Sequence, residues 1–260
     1  MVRGLSPARF VLVRGLAREA GHWYGFVDAL ARRFPDAAIV GEDLLGNGAR
    51  WRASSPIDTA AMAADLRARV WAAGDAPPVI VAISLGAMVG LDWLRRWPGD
   101  PLAGFVAINT SAGGLCRPWE RMRIPALVHT LRSLAEDDPV ARELAILDLT
   151  TSEHRDDRAL AERAAGLHRA QPIQRRNVAR QLIAAARFRV DRLPTSVPAL
   201  VLASTRDRMV DPRCSARIAQ QLGAAHALHP SAGHDLSLDD PGWCADQIAR
   251  WWAGRGQSEG

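Results

Sequence analysis

A short run of small and apolar residues, Ala82-Ile83-Ser84-Leu85-Gly86, contains the serine best placed for chemistry. A nucleophilic serine at a sharp strand-to-helix turn needs small neighbours two positions before and two positions after it, because they let the chain turn and expose the hydroxyl. Ala82 and Gly86 meet that need. Alone, the motif suits a serine that caps a helix equally well, so Ser84 has to be judged by its partners.

A serine hydroxyl is a poor nucleophile unless a base takes its proton. His234 lies in the segment 231–236, a loop that follows the last short apolar run of the chain. The alternative is a loop histidine with no role. None of the remaining histidines has this placement in a loop after a strand. His22 opens the first predicted helix, and His226 and His229 lie on or beside a predicted strand. The long segment between the fourth and fifth predicted strands contains the others: His129, His154 and His168.

A third group must hold the imidazole in one tautomer and stabilise its cation. Asp207 comes just beyond the apolar run 201–204, which places a carboxylate at a strand end. Asp211 competes for this role, but it precedes Pro212 and fits a helix cap better. We therefore favour Asp207, and the order serine, aspartate, histidine becomes the predicted catalytic triad.

Acyl transfer develops negative charge on the former carbonyl oxygen, and two backbone N–H groups should point at it. One should belong to Leu85, which directly follows the serine. The other should come from the loop 14–16 after the first predicted strand, and Leu16 is our choice there. The sequence thus predicts a backbone oxyanion hole formed by Leu16 and Leu85.

Strands that alternate with helices have to position these side chains. The run Val79–Ile83 is almost wholly apolar, as is typical of a strand buried on both faces of a parallel sheet. The predicted strands are 10–13, 37–40, 79–83, 102–108, 199–202 and 226–228. The predicted helices are 21–34, 57–71, 87–97, 119–134, 140–149, 158–168, 173–188, 213–222 and 241–252. This alternation indicates an α/β fold with helices on both faces of a mostly parallel sheet.

The alternation stops between the fourth and fifth predicted strands, where only helical patterns occur. We therefore expect an α/β core formed by residues 1–112 and 195–260, with a helical cap inserted at 113–194. Two helices of this insert carry apolar stripes, which we expect to pack the insert on the core, with a few members lining a pocket. The stripes are Trp119, Met122, Leu127 and Leu131, then Ile173, Val178, Leu182 and Ile183.

With these residues in place, the chain resembles the α/β-hydrolase family over nearly its whole length, in the small, capped, single-domain form. The segment 43–48, Asp-Leu-Leu-Gly-Asn-Gly, is similar to the family's Asp-Leu-Pro-Gly-x-Gly loop. Gly233-His234 with the later Asp239-Asp240-Pro241 resembles its Gly-His and downstream acidic-Pro pattern. Among well-known relatives, the chain looks most like carboxylesterases that cleave pimeloyl-carrier methyl esters, related esterases and C–C bond hydrolases.

The resemblance also implies limits. Family members that use an aspartate nucleophile, such as haloalkane dehalogenases and epoxide hydrolases, are excluded by Ser84. The family usually has His-Gly in its oxyanion loop, whereas this chain has Arg14-Gly15, and this bears on the substrate subclass. The residues before Phe10 are too few to form the family's first two strands, so we expect a sheet with fewer strands.

Composition excludes other classes of protein. The chain has 260 residues, of which 48% are hydrophobic and 23% charged, enough for a real core and unlike a disordered chain. The sequence contains no apolar run long enough for a membrane span, and its N-terminal apolar stretch is too short for a signal peptide. We therefore expect a cytoplasmic protein. Net charge is +5, but arginines alternate with acids and no recognition motif accompanies them, which disfavours nucleic acid.

We also expect neither a cofactor nor a metal. Gly46-Asn47-Gly48 lacks the third glycine and the following helix of a dinucleotide fingerprint. The three cysteines are far apart, and no spacing of Cys and His predicts zinc ligands. The expected partner is a small acyl ester.

One helix of the insert suggests a further partner. It carries five arginines with no acid between them: Arg175, Arg176, Arg180, Arg187 and Arg189. Such a face favours docking of an acidic carrier by electrostatic steering. A solvated helix face in an arginine-rich protein is the simpler interpretation.

The sequence therefore predicts a serine hydrolase of carboxylic esters or thioesters (EC 3.1.1) that works through an acyl-enzyme. The same triad also serves acyltransferases and C–C bond hydrolases. A ligand-binding pseudo-hydrolase with slow turnover is the alternative outside enzymes.

Overall fold

A computed structural model describes residues 7–194 and 196–255. Its strands form one sheet in the order β2-β1-β3-β4-β5-β6, and every neighbouring pair is parallel. The strands are β1 (Arg9–Val13), β2 (Ala38–Glu42), β3 (Pro78–Ile83), β4 (Gly104–Ile108), β5 (Ala199–Ser204) and β6 (Ala225–His229). Since the described strands are all parallel, their carboxyl ends share one edge, where the loops with candidate site residues emerge.

Six helices pack around this sheet or connect its strands, and five more lie between β4 and β5. The first set is α1 (Gly25–Arg33), α2 (Thr59–Ala72), α3 (Leu85–Arg96), α9 (Arg213–Leu222), α10 (Leu236–Asp239) and α11 (Pro241–Arg255). The second set, which we call the helical insert, is α4 (Pro118–Arg121), α5 (Ile124–Ala135), α6 (Pro139–Thr150), α7 (Arg158–Ala170) and α8 (Arg175–Arg187). None of the described helices combines the length and hydropathy that crossing a bilayer requires.

Alternate residues of β1 show how the core is divided. Phe10 and Leu12 are buried against α1 and α11, whereas Val11 and Val13 are buried on the opposite face with α2, α3 and α9. A strand with apolar residues on both faces has to be covered by helices on both sides. The prediction of an α/β fold with a parallel sheet and two helical layers is confirmed.

The sequence prediction of one helix over 119–134 is wrong. The structure has α4 and α5 there, and the chain is extended at Met122 and Arg123 between them. The N–H of Arg123 donates to the carbonyl of Met209, 2.9 Å away, instead of continuing a helix. Pro125 in the first turn of α5 has no N–H to donate, which suits a helix start. The short helix α10 was not predicted.

The helical insert leaves and re-enters the core at one place. The N–H of Gly113 donates to Phe188 O at 3.1 Å, and the N–H of Val190 donates to Gly113 O at 2.8 Å. A side chain at Gly113 would come within 2.8 Å of the Phe188 carbonyl, so glycine is needed for this close approach. The two ends of the insert are therefore held together before the chain enters β5.

Candidate active site

Ser84 occupies the turn between β3 and α3 in a backbone conformation that L residues rarely adopt, with φ 55° and ψ −120°. Its N–H donates to Ile108 O at 3.0 Å, and its carbonyl accepts from Thr110 Oγ1 at 2.9 Å. Such strain costs about 1–3 kcal/mol and persists because neighbouring structure imposes it. A Cβ at Gly86 would lie 2.5 Å from Arg14 O, so the turn requires glycine there.

The three residues predicted as a triad are brought together. Nε2 of His234 lies 3.0 Å from Oγ of Ser84, and Nδ1 lies 2.7 Å from Oδ2 of Asp207. The other oxygen of Asp207 accepts the N–H groups of Met209 and Val210 at 2.7 and 2.9 Å. This continuous line of hydrogen bonds is the arrangement that lets a histidine take a serine proton.

The competitor Asp211 lies elsewhere. Its carboxylate accepts from the side chain of Arg213 at 2.7 Å and from the Arg213 N–H at 3.0 Å, beside the start of α9. Arginine and the helix start thus account for both of its oxygens. The structure places Asp207, and not Asp211, against His234.

The loop that carries His234 is held from two sides. Nδ2 of Asn109, at the end of β4, donates to the carbonyls of His234 and Gly233 at 2.8 and 3.1 Å. From the insert, Thr150 O accepts the N–H of Asp235 at 2.7 Å. The end of α6 therefore holds the backbone next to His234. Asn109 has a positive φ of 43°, and the sequence analysis missed it.

Burial opposes protonation of His234, but the Asp207 carboxylate outweighs it and raises the pKa of the imidazole above its ordinary value. The carboxylate of Asp235 acts in the same direction, and the guanidinium of Arg14 acts against it. The pKa of His234 is thus set by burial and by the charges of Asp207, Asp235 and Arg14.

Arg14 stands where the resembled family usually has histidine. Its guanidinium is buried, forms an ion pair with both oxygens of Asp235, and donates to Ser237 Oγ at 3.0 Å. It also lies over the ring of Trp23, with 4.9 Å between Cζ and the ring centroid. Burial alone would raise the pKa of Asp235, but Arg14 and Ser237 hold it below its usual value. The sequence analysis missed this pair.

The predicted oxyanion residues lie beside the serine. A Cβ at Gly15 would be 3.0 Å from Ser84 Cβ, so the loop after β1 packs directly against the turn that carries Ser84. Leu85 begins α3, and the first N–H groups of a helix have no partner within the helix. Leu16 lines the same pocket as Ser84. The loop after β1 and the start of α3 thus both lie beside the serine, and Leu16 and Leu85 stay the predicted donors to an oxyanion.

The segment 43–48 supports that loop. Oδ1 of Asp43 accepts the N–H of Ala20 at 2.8 Å, and Nδ2 of Asn47 donates to Arg18 O at 2.9 Å. Gln181 of α8 links the same region to the insert, since its Nε2 donates to Asn47 Oδ1 at 2.7 Å. These bonds fix the loop 14–20 from behind.

A pocket of about 120 Å³ opens beside Ser84 and His234, between the core and the helical insert. Its apolar wall includes Leu16 and Ile83 from the core, together with Leu134, Ile146, Leu149, Ile173, Val178 and Met209. Its polar wall includes Arg14, Arg18, Arg142, His168 and Arg175. The insert thus supplies much of the surface that a bound acyl group would meet.

The predicted apolar stripes behave differently from each other. In the second stripe, Ile173 and Val178 line the pocket, as expected for a few members, whereas Ile183 is exposed. Trp119, Leu127 and Leu131 are exposed, so the prediction that their stripe packs on the core is wrong. Extended backbone at Met122 and Arg123 separates Trp119 from α5, and the described residues leave the face of α5 that carries Leu127 and Leu131 uncovered.

The comparisons with known proteins agree with the fold. The model of a family described as the alpha/beta hydrolase family matches residues 10–247. No significant match is found among the curated proteins.

Several solved structures share the fold. An enol-lactonase from Burkholderia xenovorans LB400 is 16% identical, with a TM-score of 0.76 and coverage of 97% of this chain and 94% of that one. A thermophilic esterase from Thermogutta terrifontis, with malate bound, is 19% identical, with a TM-score of 0.70 and coverage of 96% and 90%. The esterase RhEst1 from Rhodococcus sp. ECU1013 is 18% identical, with a TM-score of 0.71 and coverage of 95% and 90%.

Proposed function

Because this chain belongs to the alpha/beta hydrolase family, we propose that it is a serine hydrolase that cleaves a carboxylic ester or thioester through an acyl-enzyme. The observation that carries the proposal is the hydrogen-bonded line from Ser84 Oγ to His234 Nε2, at 3.0 Å, and from His234 Nδ1 to Asp207 Oδ2, at 2.7 Å. A cytoplasmic location stays a prediction from the sequence.

The reaction follows from this geometry. Ser84 Oγ attacks the carbonyl carbon while His234 Nε2 takes the hydroxyl proton, and Asp207 stabilises the imidazolium that forms. The N–H groups of Leu16 and Leu85 bind the oxyanion of the tetrahedral intermediate. When the intermediate collapses, His234 returns the proton to the leaving alcohol or thiol. Water then attacks the acyl-enzyme with His234 as base, and Ser84 is released.

The pocket limits the substrate. Its volume of about 120 Å³ is below the roughly 150 Å³ of an engineered apolar cavity that binds benzene. We therefore infer that the enclosed part of the substrate is a short acyl or small aryl group. The helical insert, which we take as a lid over residues 113–194, sets this limit through side chains such as Ile146 and Ile173.

An acyl group linked to an acidic carrier is a narrower candidate. It is favoured by Arg176, Arg187 and Arg189, which are exposed on or beside α8 and have no carboxylate within ion-pair distance among the described residues. Two other arginines of this face are engaged: Arg175 pairs with Asp137 at 2.7 Å, and Arg180 donates to Ser55 O. Reversing the three unpaired charges to glutamate should lower kcat/KM for a carrier-bound ester, most strongly at low salt, and leave a small free ester unaffected.

Acyl transfer and C–C bond hydrolysis use the same residues and differ in the second reactant or the bond that breaks. A burst of alcohol release followed by slow turnover, which speeds up with an added alcohol or thiol, would identify a transferase. A binding protein of slow turnover would bind esters without this burst.

The test is labelling by a fluorophosphonate probe, together with hydrolysis of p-nitrophenyl esters of increasing acyl length. Ser84→Ala should abolish labelling, and both Ser84→Ala and His234→Ala should lower kcat by several orders of magnitude, because the residues act as a unit. Ser231→Ala is the matched control, since this serine lies in the His234 loop and its backbone N–H, not its hydroxyl, bonds His229. Normal labelling and turnover of Ser84→Ala would refute the proposal.

A further inference from the structure

Behind the loop after β1, side chains of the core and of the helical insert converge. His22 belongs to the 3-10 turn Ala20–Trp23 of the core, whereas Glu143 and His168 belong to α6 and α7 of the insert. One nitrogen or oxygen of each lies within 4.8 Å of the other two. His22 and Glu143 are fully buried, and His168 is partly buried at the pocket wall. No spacing in the sequence predicts this cluster, because its members come from three distant segments.

Several polar atoms of the cluster have no hydrogen-bond partner among the described residues. They are Nε2 of His22, Nδ1 of His168 and Oε1 of Glu143. The last lies 3.0 Å from Nε2 of His168, close enough for electrostatic attraction but without the alignment of a hydrogen bond. Buried polar atoms are normally paired, so the unpaired Nε2 of the fully buried His22 indicates a missing ligand.

The surroundings of His22 favour a metal ligand. Its Nδ1 lies 3.2 Å from the backbone nitrogen of Glu19 and 3.3 Å from the carbonyl oxygen of the same residue. When Nδ1 accepts the Glu19 N–H, the proton is on Nε2. When Nδ1–H donates to the carbonyl, the lone pair of Nε2 is free, and metal-binding histidines are usually held in this second way.

The carboxylate is also oriented. Arg18 Nη1 lies 2.7 Å from Oε2 of Glu143, which leaves Oε1 directed to the histidines. The simpler interpretation is that Arg18 and His168 together neutralise a buried carboxylate. That interpretation accounts for Glu143, but it leaves Nε2 of His22 buried and unpaired.

We propose that His22, Glu143 and His168 bind a zinc ion that joins the helical insert to the core. Two imidazoles and one carboxylate are a donor set that suits zinc, with water from the pocket in the fourth position. Tetrahedral bonds of about 2.0–2.1 Å put ligand atoms roughly 3.4 Å apart. Nε2 of His168 and Oε1 of Glu143 are already 3.0 Å apart. The side chain that has to approach is therefore His22, whose ligand atom lies within 4.8 Å of the other two.

The proposed zinc ion would hold the helical insert on the core and would not take part in catalysis. A Cβ at Gly21 would lie 3.0 Å from the methyl groups of Leu167, so the core turn and α7 are already in contact. Zinc would fix α6 and α7 against the loop that carries Leu16. The ion takes no part in the proposed attack by Ser84, so the inference stands apart from the proposed function.

The test measures zinc on the purified full chain after chelator treatment and dialysis against zinc chloride. We expect one zinc per chain by elemental analysis, and a rise in Tm of roughly 5–10 °C at a zinc concentration a hundred times Kd. His22→Gln and His168→Gln should each weaken zinc binding about 100-fold or more and remove the Tm shift. His226→Gln is the control, because this histidine lies in β6 outside the cluster, and it should behave as the parent.

Two results would overturn the proposal: a parent chain that retains no zinc, or zinc binding unchanged in both variants. Cobalt substitution of the parent supplies an answer even when a variant fails to fold. Visible bands of a four-coordinate cobalt site without a thiolate charge-transfer band support nitrogen and oxygen ligands. A thiolate band would assign the metal to cysteines such as Cys116 and Cys214 and refute the proposed site.

Discussion

Asp207 bonds its neighbours through both carboxylate oxygens, and this fixes what an amide in its place must do. Oδ1 accepts the N–H groups of Met209 and Val210 at 2.7 and 2.9 Å, while Oδ2 faces Nδ1 of His234 at 2.7 Å. In Asp207→Asn the amide oxygen has to remain with the two backbone donors. The NH2 group then faces His234, and Nδ1 has to accept.

An imidazole that accepts at Nδ1 carries its proton on Nε2. Nε2 then donates to Ser84, 3.0 Å away, instead of taking its proton. The variant should keep its fold and lose kcat by on the order of 10⁴, the size of loss that the same tautomer change causes in serine proteases with this triad. Such a loss corresponds to about 5.4 kcal/mol of transition-state stabilisation.

The assay is kcat and KM for a short p-nitrophenyl ester, with Asp211→Asn as the matched control. Asp211 binds Arg213 and lies away from His234, so its variant should keep kcat within about twofold of the parent. A kcat for Asp207→Asn within tenfold of the parent would refute the tautomer argument. A greater loss in Asp211→Asn would show that the acid is misassigned.

Three further predictions follow from the site. The kcat/KM of the parent should rise with pH through an apparent pKa above about 6.5, because protonated His234 cannot act as base and its pKa is raised; a rate that is constant from pH 5 to 8 would contradict this. Arg14→Gln leaves the Asp235 carboxylate buried without its ion-pair partner and should lower the free energy of unfolding, measured in urea, by about 3–5 kcal/mol. The double variant with Asp235→Asn should recover part of this loss. Additive losses in the double variant would refute the pairing. Gly86→Ala puts a Cβ 2.6 Å from Val13 O. It should lower the free energy of unfolding by about 1–3 kcal/mol and remove most of the activity. A variant with the stability and rate of the parent would show that the turn tolerates a side chain.

Local patterns in the sequence predict most of the elements and three of the site side chains. Apolar runs such as Val79–Ile83 mark strands, and polar residues directly after them have to gather at one edge of a parallel sheet. That regularity is enough to place Ser84, Asp207 and His234 together. It works because each residue is positioned by the strand that precedes it.

Contacts between distant segments lie beyond such patterns. The ion pair of Arg14 and Asp235 joins the end of the first strand to a loop near the end of the chain. The sequence around Arg14 contains no pattern that predicts a buried acidic partner. The burial of Glu143 within the insert likewise depends on Arg18 of the core. Helix packing decides which apolar residues are covered, and so Leu131 of a regular stripe is exposed.

The paired ends of the helical insert bear on how such a protein can change during evolution. Because Gly113 and Val190 are hydrogen-bonded to each other, the chain between them begins and ends at one point of the scaffold. The entropy of closing a loop grows only with the logarithm of its length, about 0.6 kcal/mol for each doubling. Helices can thus be lengthened, lost or exchanged between these two residues at small cost to the sheet, and new substrate preferences can be acquired while the strands that carry the serine and its base stay as they are.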